Sequence, residues 1–305
     1  MNPLDQKLRD FNIPIFNIGA HLPAVLANDV VGTVVKNGPN VSKFPIGSHV
    51  FSQSADLFSG GLQEYVLIDA RYTALVPEGV SDEDAAVFPI NAFTSAVSLF
   101  SSAGLGFPFP GTEESKTYDY KSQKLVIIGG GTNTGKFAIQ FARIARVGTI
   151  ITTASLAGEA ELKAYGATHV IDRKASDIEQ QVRSIVDDEL LYVFDTFHSG
   201  DHSLAVSLLS NSRKGTFIHL LEGKPSDAVA AQKKAGWEEK QTMGASPAHP
   251  EFADLFWKQF PKWLQSGAIK PLKYNVIEGL DAEKVNKALD GYKDLSKGQR
   301  YHVRF

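Results

Sequence analysis

The sequence LVIIGGGTNTGKF occupies residues 125–137 and carries the strongest local signal in the chain. It begins with four apolar residues, passes through three consecutive glycines and ends in residues that favour a helix. An apolar strand that leads through glycines into a helix is typical of nucleotide-binding turns. Two interpretations compete, because Gly130, Gly135 and Lys136 also have the spacing of the two glycines and the lysine of a P-loop.

The P-loop interpretation fails at the residue that follows the lysine. A P-loop needs a hydroxyl there to hold Mg²⁺, and this chain has Phe137. A dinucleotide-binding turn needs glycines that admit a pyrophosphate and a helix whose N-terminus faces it, and Gly130, Gly131 and Gly135 meet that need. Polar side chains between them would add donors to phosphate oxygens: Thr132, Asn133 and Thr134. We predict a dinucleotide site, although the spacing departs from G-x-G-x-x-G.

The residues that follow the next predicted strand bear on whether the dinucleotide is NADPH or NADH. An NAD site usually carries an acid at this point to bind the ribose hydroxyls, but this chain has Ser155 there and no acid before Glu159. A serine hydroxyl would accept a 2′-phosphate, and Arg173 would supply the countercharge. The alternative is that Ser155 caps the next helix and Arg173 is a solvated surface charge. We predict NADPH rather than NADH.

The rest of the sequence places this turn at the head of an α/β domain. From residue 124, continuous apolar strands alternate with amphipathic helices, which predicts a doubly wound parallel sheet of the Rossmann type. The first ninety residues are predicted to be mostly β structure, followed by helices. The predicted elements of that part are strands over 30–35, 48–51 and 62–67, a helix that starts at Ser81, a second helix over 91–103 and a surface loop over 104–121.

Composition narrows the class of partner. The net charge of −3 and the pI near 6.2 give no basic field for nucleic acid. No apolar run approaches the roughly 20 residues of a membrane helix, and the polar N-terminus is unlike a signal peptide. The chain has no cysteine, which excludes disulfides and cysteine-based metal sites. We expect a cytoplasmic protein that acts on a small-molecule substrate, with monomer and homodimer both open.

Several segments together resemble one enzyme family along nearly the whole chain. The sequence resembles the zinc-independent medium-chain dehydrogenases/reductases of the quinone oxidoreductase and fungal trans-enoyl reductase type. The segments that carry the resemblance are NPLDQK (2–7), LANDVVG (26–32), FPIGSHV (44–50), GLQEYV (61–66), AAVFP (85–89) with FTSA (93–96), LKAYGATHVID (162–172) and SKGQR (296–300). Family members usually begin with further strands, whereas the printed sequence starts directly at the Asn2 segment.

The resemblance implies a domain arrangement, an activity and several site residues. It implies a mostly β GroES-like catalytic domain built from both chain ends, residues 1–91 and 265–305, around a Rossmann domain over 92–264. It also implies NADPH-dependent hydride transfer to an activated C=C bond of an enoyl or quinone-type substrate, without zinc. Asn2 would lie near the nicotinamide end, and Thr94 would hydrogen-bond the cofactor. The remaining implied cofactor contacts are Leu220, Leu221 and Gln299.

A second hypothesis comes from another functional class. The fold also allows a non-redox descendant that acts as a biosynthetic-pathway partner, a cyclase or a binding protein. The start of the sequence directly at the NPLDQK segment and the altered GGGTNTG turn favour it. Binding of no dinucleotide would support this hypothesis, and oxidation of NADPH by an added enoyl or quinone substrate would support the first.

Overall fold

The structure is a computed structural model that describes residues 1–11, 18–54, 56, 59–294 and 300–305. Its helices are α1 (Pro3–Asp10), α2 (Asp82–Ala85), α3 (Pro89–Phe100), α4 (Glu113–Thr117), α5 (Asn133–Ala145), α6 (Glu159–Tyr165), α7 (Ile178–Val186), α8 (Ser203–Leu208), α9 (Asp227–Gln232), α10 (Pro250–Gln265) and α11 (Ala282–Gly291). Its strands are β1 (Asp29–Thr33), β2 (His49–Ser54), β3 (Ile68–Leu75), β4 (Lys124–Ile128), β5 (Thr149–Ala154), β6 (His169–Asp172), β7 (Tyr192–Asp195), β8 (Gly200–Asp201), β9 (Gly215–His219), β10 (Gly223–Lys224), β11 (Trp237–Gln241), β12 (Asn275–Glu278) and β13 (Tyr301–Arg304). None of the helices in these ranges is long and apolar enough to cross a bilayer.

Residues 94–244 form one compact unit, termed unit 2. Its six-stranded sheet has the order β11-β9-β7-β4-β5-β6, and every neighbouring pair is parallel. The order reverses between β4 and β7, because the chain runs outward from β4 through β5 and β6 and then returns to the other side. Ligands of such sheets bind at the carboxyl ends of the strands beside this reversal. The doubly wound α/β fold predicted from the sequence is confirmed.

Apolar strands and amphipathic helices explain why unit 2 forms. The strands contribute side chains with almost no exposed surface, and the helices cover them with one apolar face each. One core cluster joins the sheet to α7 and α8; its members include Val126, Ile128, Val193, Phe217, Val182 and Val206. At about 25 cal/mol per Å² of buried apolar surface, such side chains supply most of the driving force for folding.

Residues 1–93 and 245–305 form the second compact unit, termed unit 1. It contains the antiparallel sheet β1-β2-β3 and the parallel pair of β12 and β13. Helix α10 packs against β3 and buries aromatic rings in the same unit. The ring centroids of Phe51 and Phe260 lie 6.2 Å apart, those of Phe88 and Phe260 5.3 Å, and those of Phe51 and Trp257 5.7 Å.

These rings shift the domain boundary from the predicted position. The Rossmann domain was predicted to end at residue 264, whereas the compact units divide at Gly244 and Ala245. Helix α10 belongs to unit 1 because its apolar face packs on Phe51 and Phe88. The first boundary, predicted between residues 91 and 92, falls at Phe93 and Thr94 inside α3.

Three local predictions need correction. Residues 62–67 form no strand, and the third strand is β3 instead; Tyr65 and Leu67 are 72% and 74% exposed, so no buried face holds them in a sheet. The stretch 104–121 is not a surface loop, because Phe107 and Phe109 are buried and α4 lies within it. Helix α1 was not predicted, although Asn2 as N-cap and Pro3 as first helical residue are standard signals for it.

Candidate functional site

The turn after β4 is closed by contacts that only glycine permits. The Gly130 N–H donates to the Thr153 carbonyl at 3.0 Å, which ties the turn to β5. A Cβ on Gly130 would lie 1.9 Å from Thr152 Oγ1, and a Cβ on Gly135 would lie 2.4 Å from the Gly129 carbonyl oxygen. These two glycines are therefore required by the close approach of strand, turn and helix.

Gly131 differs from its neighbours because it faces open space. A Cβ there would meet no atom within 4 Å, and the residue is exposed. Within the described part of the chain, the N–H groups of Gly131 and Asn133 donate no hydrogen bond. Both lie at the N-terminus of α5, where helix amides and the helix dipole favour an anion. This combination fits the pyrophosphate of a dinucleotide.

The three polar side chains of the turn have different environments. Thr132 is the N-cap of α5: its hydroxyl accepts from the Gly135 N–H at 2.9 Å. Thr134 is buried, and its carbonyl accepts from the Ser95 hydroxyl at 2.8 Å. The Asn133 side chain is half-buried and makes no hydrogen bond to the described residues. Of the three predicted phosphate donors, Asn133 is therefore the one whose side chain is both accessible and without a hydrogen bond to the described residues.

Lys136, the residue that suggested a P-loop, pairs with the neighbouring helix. Its Nζ lies 2.7 Å from Glu161 Oε2 on α6, and only 17% and 27% of the two side chains are exposed. The lysine thus joins α5 to α6.

Ser155 and Arg173 lie together at the carboxyl edge of the sheet. Ala154 pairs with Asp172 in the register of β5 and β6, and the Arg173 N–H donates to the Ala154 carbonyl at 2.9 Å. Both residues are exposed. Ser155 makes no side-chain cap to the turn at Leu156–Gly158, and Arg173 makes no ion pair with the described residues. The two residues predicted to contact the 2′-phosphate are adjacent, and neither side chain makes a hydrogen bond or ion pair with another described residue.

Leu220 and Leu221 follow β9 at the same edge. The Leu221 carbonyl accepts from His219 Nδ1 at 2.8 Å and from His202 Nε2 at 3.0 Å. The Leu220 carbonyl accepts from Gln241 Nε2 at 3.3 Å. The Leu221 carbonyl has two donors, so a nicotinamide amide could meet the N–H groups here or the second lone pair of the Leu220 carbonyl. The predicted cofactor contact remains a prediction.

Asn2 lies in a buried polar network of unit 1. Its Nδ2 donates to Asp29 Oδ2 at 2.7 Å, and its Oδ1 accepts from Arg300 Nη1 at 2.8 Å and from Asn91 Nδ2 at 2.7 Å. Arg300 is fully buried and also bonds Asp29 at 2.6 Å. The side chain of Asn2 is therefore accounted for by the fold of unit 1, and its catalytic role stays a prediction without structural support.

The two remaining predicted residues differ in how far the structure describes them. Thr94 is buried, its carbonyl accepts from the Ser98 hydroxyl at 2.8 Å, and a Cβ on Gly244 would lie 1.8 Å from its Oγ1. The hydroxyl thus borders a position that must be glycine. Gln299 lies outside the described residues.

The structure adds polar residues that were not predicted from the sequence. Strand β7 ends at Asp195 beside the glycine turn, and Thr196 and His198 follow it. Asp195 has no exposed side-chain surface and lies 3.0 Å from His198 Nδ1. A usable signal was present: polar residues at the carboxyl end of a parallel strand, next to a glycine turn, are candidate site residues.

Two further observations concern other kinds of site. In the described ranges, no group of three or more His, Asp or Glu side chains is arranged to hold a metal ion. A groove of about 680 Å³ lies on unit 1 along β1 and residues 61–68, and none of the predicted site residues lines it. The candidate site therefore rests on the glycine turn and its neighbours.

Comparison with known proteins gives both sequence relatives and structural neighbours. Residues 1–78 match the alcohol dehydrogenase GroES-like domain, which confirms the predicted GroES-like region. A trans-enoyl reductase from Aspergillus japonicus is 30% identical over 191 residues, 61% of this chain and 53% of that enzyme. The chain thus spans about half the length of this relative.

Two other proteins align over most of the chain. A trans-enoyl reductase from Gibberella fujikuroi is 25% identical over 321 residues, 98% of this chain and 86% of that enzyme. The Escherichia coli quinone oxidoreductase complexed with NADPH superimposes with a TM-score of 0.72 at 19% identity. The superposition covers 98% of this chain and 85% of the oxidoreductase chain. At that identity the superposition supports the fold.

Proposed function

Because the chain belongs to the medium-chain dehydrogenase/reductase family, we propose that it is an NADPH-dependent reductase. It transfers hydride to an activated C=C bond of a small enoyl or quinone-type substrate, and it does so without zinc. The observation that carries the proposal is the turn at Gly131. At the start of α5, beside the reversal of strand order in a parallel sheet, this turn has open space and two N–H groups, those of Gly131 and Asn133, that donate no hydrogen bond in the described part of the chain.

The fit of a dinucleotide is supported by a division of roles among the glycines. Gly130 and Gly135 draw strand and helix together, and Gly131 leaves the space into which a pyrophosphate can approach. The amides of Gly131 and Asn133 would then donate to its oxygens. Hydrogen bonds to charged oxygens are about twice as strong as neutral ones, so each of these donors would contribute more than an ordinary N–H.

NADPH rather than NADH is favoured by the end of β5. Ser155 and Arg173 offer a hydroxyl and a cation, and the strand ends without a carboxylate that would repel a 2′-phosphate. A structural neighbour, the Escherichia coli quinone oxidoreductase, is described as complexed with NADPH. The cofactor choice is part of our proposal.

The proposed chemistry asks the chain to bind and orient rather than to activate through a metal. Bound NADPH would supply the hydride, the carbonyl of the substrate would accept the charge that develops, and a proton from water would then complete the reduced product. The protein holds both reactants in a reactive geometry, which can lower the activation free energy by about 7–11 kcal/mol. The chain has no cysteine, so the cysteine-containing zinc site of zinc-dependent relatives has no counterpart here.

The test is oxidation of NADPH in the presence of an acceptor. The purified chain is mixed with NADPH and either a crotonyl thioester or a small quinone, and loss of the reduced nicotinamide absorbance is followed. We expect oxidation that depends on both protein and acceptor, and reduced product in equal amount. NADPH that binds but is not oxidised by either substrate class would argue for a different acceptor, whereas failure to bind any dinucleotide would favour the non-redox alternative.

A further inference from the structure

His198 directly follows two residues, Thr196 and Phe197, that contact the glycine turn on the side away from Ser155. Ile128 pairs with Asp195 in the register of β4 and β7, and Thr196 continues the pairing, since its N–H donates to the Ile128 carbonyl at 3.0 Å. A Cβ on Gly129 would come within 2.7 Å of Phe197 Cβ. Thr196 and Phe197 therefore pack directly beside the turn, and His198 is the next residue along the chain.

Asp195 fixes the orientation of the His198 ring. Asp195 Oδ2 lies 3.0 Å from His198 Nδ1, and Asp195 Oδ1 accepts the N–H groups of Phe197 and His198 at 3.0 Å each. An ionised carboxylate only accepts, so Nδ1 carries a proton and Nε2 is the ring nitrogen left for a ligand. Nε2 has no hydrogen-bond partner in the described ranges, and 35% of the side chain is exposed.

The surroundings of the ring favour its charged form. The hydrogen bond with Asp195 raises the pKa of His198 above its ordinary value, with burial acting in the opposite direction and the charges of Asp195 and Asp201 adding to the rise. Burial disfavours the ionised form of Asp195, but its hydrogen bonds with His198 and Phe197 more than offset this and lower its pKa. His202 Nδ1 also lies 3.3 Å from Asp195 Oδ2. The charged form of the His198 ring is thus favoured at a position that follows a turn suited to an anion.

The sheet order gives the direction in which a ligand would extend. Ser155 and Arg173 follow β5 and β6 on one side of β4, and His198 follows β7 on the other. The reversal of strand order lies between β4 and β7, where a dinucleotide crosses the edge of such a sheet. A molecule with its 2′-phosphate at Arg173 and its pyrophosphate at Gly131 therefore continues toward β7.

We propose that His198, oriented by Asp195, is a binding residue whose Nε2–H donates to the phosphate on the nicotinamide side of the pyrophosphate. This inference rests on the proposed function and extends it, because it adds a contact whose strength depends on pH. The contact is present while the imidazole is protonated and is lost as the pH rises through its raised pKa.

Two substitutions and three ligands test the proposal by affinity alone. The amide nitrogen of His198→Asn can replace Nδ1 and keep the bond to Asp195, whereas the amide of His198→Gln reaches toward the Nε2 position. The ligands are NADP⁺, 2′-phospho-ADP-ribose, which has both phosphates but no nicotinamide, and 2′,5′-ADP, which lacks the nicotinamide-side phosphate. Dissociation constants are measured by calorimetry from about pH 6 to about pH 8, a range that spans histidine titration. Circular dichroism confirms that each variant is folded.

We expect His198→Asn to weaken NADP⁺ and 2′-phospho-ADP-ribose equally, by about tenfold at the acidic end, and to leave 2′,5′-ADP unchanged. We expect His198→Gln to retain more affinity, and the wild-type advantage to shrink as the pH rises. Equal loss for all three ligands would overturn the proposal, as would unchanged affinity for NADP⁺ or a loss confined to NADP⁺. Wild-type protein that binds none of them would overturn the proposed function as well, so the two failures are distinguishable.

Discussion

The hydroxyl oxygens of Thr132 and Thr196 lie 2.9 Å apart, which joins the cap of α5 to the end of β7. Thr196 Oγ1 also donates toward the carbonyls of Ile128 and Gly129, at 2.9 and 3.0 Å. The glycine turn is therefore held from two sides, by β5 through Gly130 and by β7 through Thr196. Hydrogen bonds made by one buried hydroxyl keep the amides of the turn in place for a ligand.

Removal of that hydroxyl should loosen the turn without changing the volume of the side chain. We expect Thr196→Val to lower the free energy of unfolding by about 1–2 kcal/mol, because buried acceptors lose their donor, and to weaken NADPH binding. Thr196→Ser keeps the hydroxyl and serves as the control. Chemical denaturation and ligand titration measure the two effects, and a Val variant with unaltered affinity would show that the turn needs no support from β7.

Lys136 should matter for stability and little for nucleotide binding. Its Nζ is paired with Glu161 across α5 and α6, so Lys136→Met is expected to cost about 0.5–1 kcal/mol of unfolding free energy and to leave the affinity for NADPH within about twofold. Glu161→Gln should cause a similar loss of stability. If Lys136→Met abolished nucleotide binding, the lysine would be acting as it does in a P-loop, and its structural role between the two helices would be the wrong interpretation.

Cofactor preference should depend on Ser155 and Arg173. We expect Arg173→Ala to weaken NADPH binding by about 10- to 100-fold and NADH binding hardly at all, because a charge-assisted hydrogen bond to the 2′-phosphate is worth about 1.5–3 kcal/mol. Ser155→Asp should repel the 2′-phosphate and reverse the preference. Lys174→Ala, next in sequence and exposed, is the matched control for loss of a nearby positive charge. Equal weakening of both coenzymes by Arg173→Ala would contradict the assignment.

The buried histidine of unit 1 should make the fold sensitive to mild acid. Burial, assisted by the charge of Arg300, lowers the pKa of His302 to about 2, whereas an unfolded histidine titrates near 6.5. Between these values the unfolded chain binds a proton that the folded chain does not. Stability is therefore complete above about pH 6.5 and falls as the pH drops, by up to about 1.4 kcal/mol per pH unit from this group.

A variant separates this contribution from those of other groups. His302 stacks on Tyr274 with ring centroids 4.9 Å apart, so His302→Phe keeps the stacking surface and removes the titration. Urea unfolding at about pH 7 and about pH 5.5 should show that the free energy of unfolding falls less for the variant than for wild type as the pH is lowered. Identical losses would mean that His302 titrates normally in the folded protein.

The parts of the fold that follow from local sequence were predicted well. The strand, glycine turn and helix start predicted over residues 125–137 form as β4, its turn and α5, and strands alternate with helices in the residues that follow, as expected. Their apolar residues recur with the period of the element itself, so no knowledge of distant contacts was needed. The adjacency of Ser155 and Arg173 followed in the same way from the rule that parallel strands end at one edge.

The parts that were missed depend on partners distant in sequence. Residues 245–264 were assigned to the Rossmann domain, whereas α10 lies in unit 1, because only the structure shows its rings against Phe51 and Phe88. Phe107 is buried against Tyr192, with ring centroids 4.8 Å apart, although glycines and prolines around it suggested a loop. The pairing of Asp195 with His198 is local, but its place beside the turn depends on the register of β4 and β7.

The most direct test of the proposed dinucleotide site is a parallel fluorescence titration with NADPH and NADH of the wild type, Gly131→Ala and Gly131→Asp. A Cβ at Gly131 meets no atom within 4 Å, so both variants should fold, and the carboxylate of the Asp variant would lie where a pyrophosphate is expected. We predict that wild type and Gly131→Ala bind NADPH more tightly than NADH, and that Gly131→Asp loses about 100-fold in NADPH affinity. Wild-type protein that binds neither coenzyme, or a Gly131→Asp variant that binds NADPH as tightly as Gly131→Ala, would contradict the central claim.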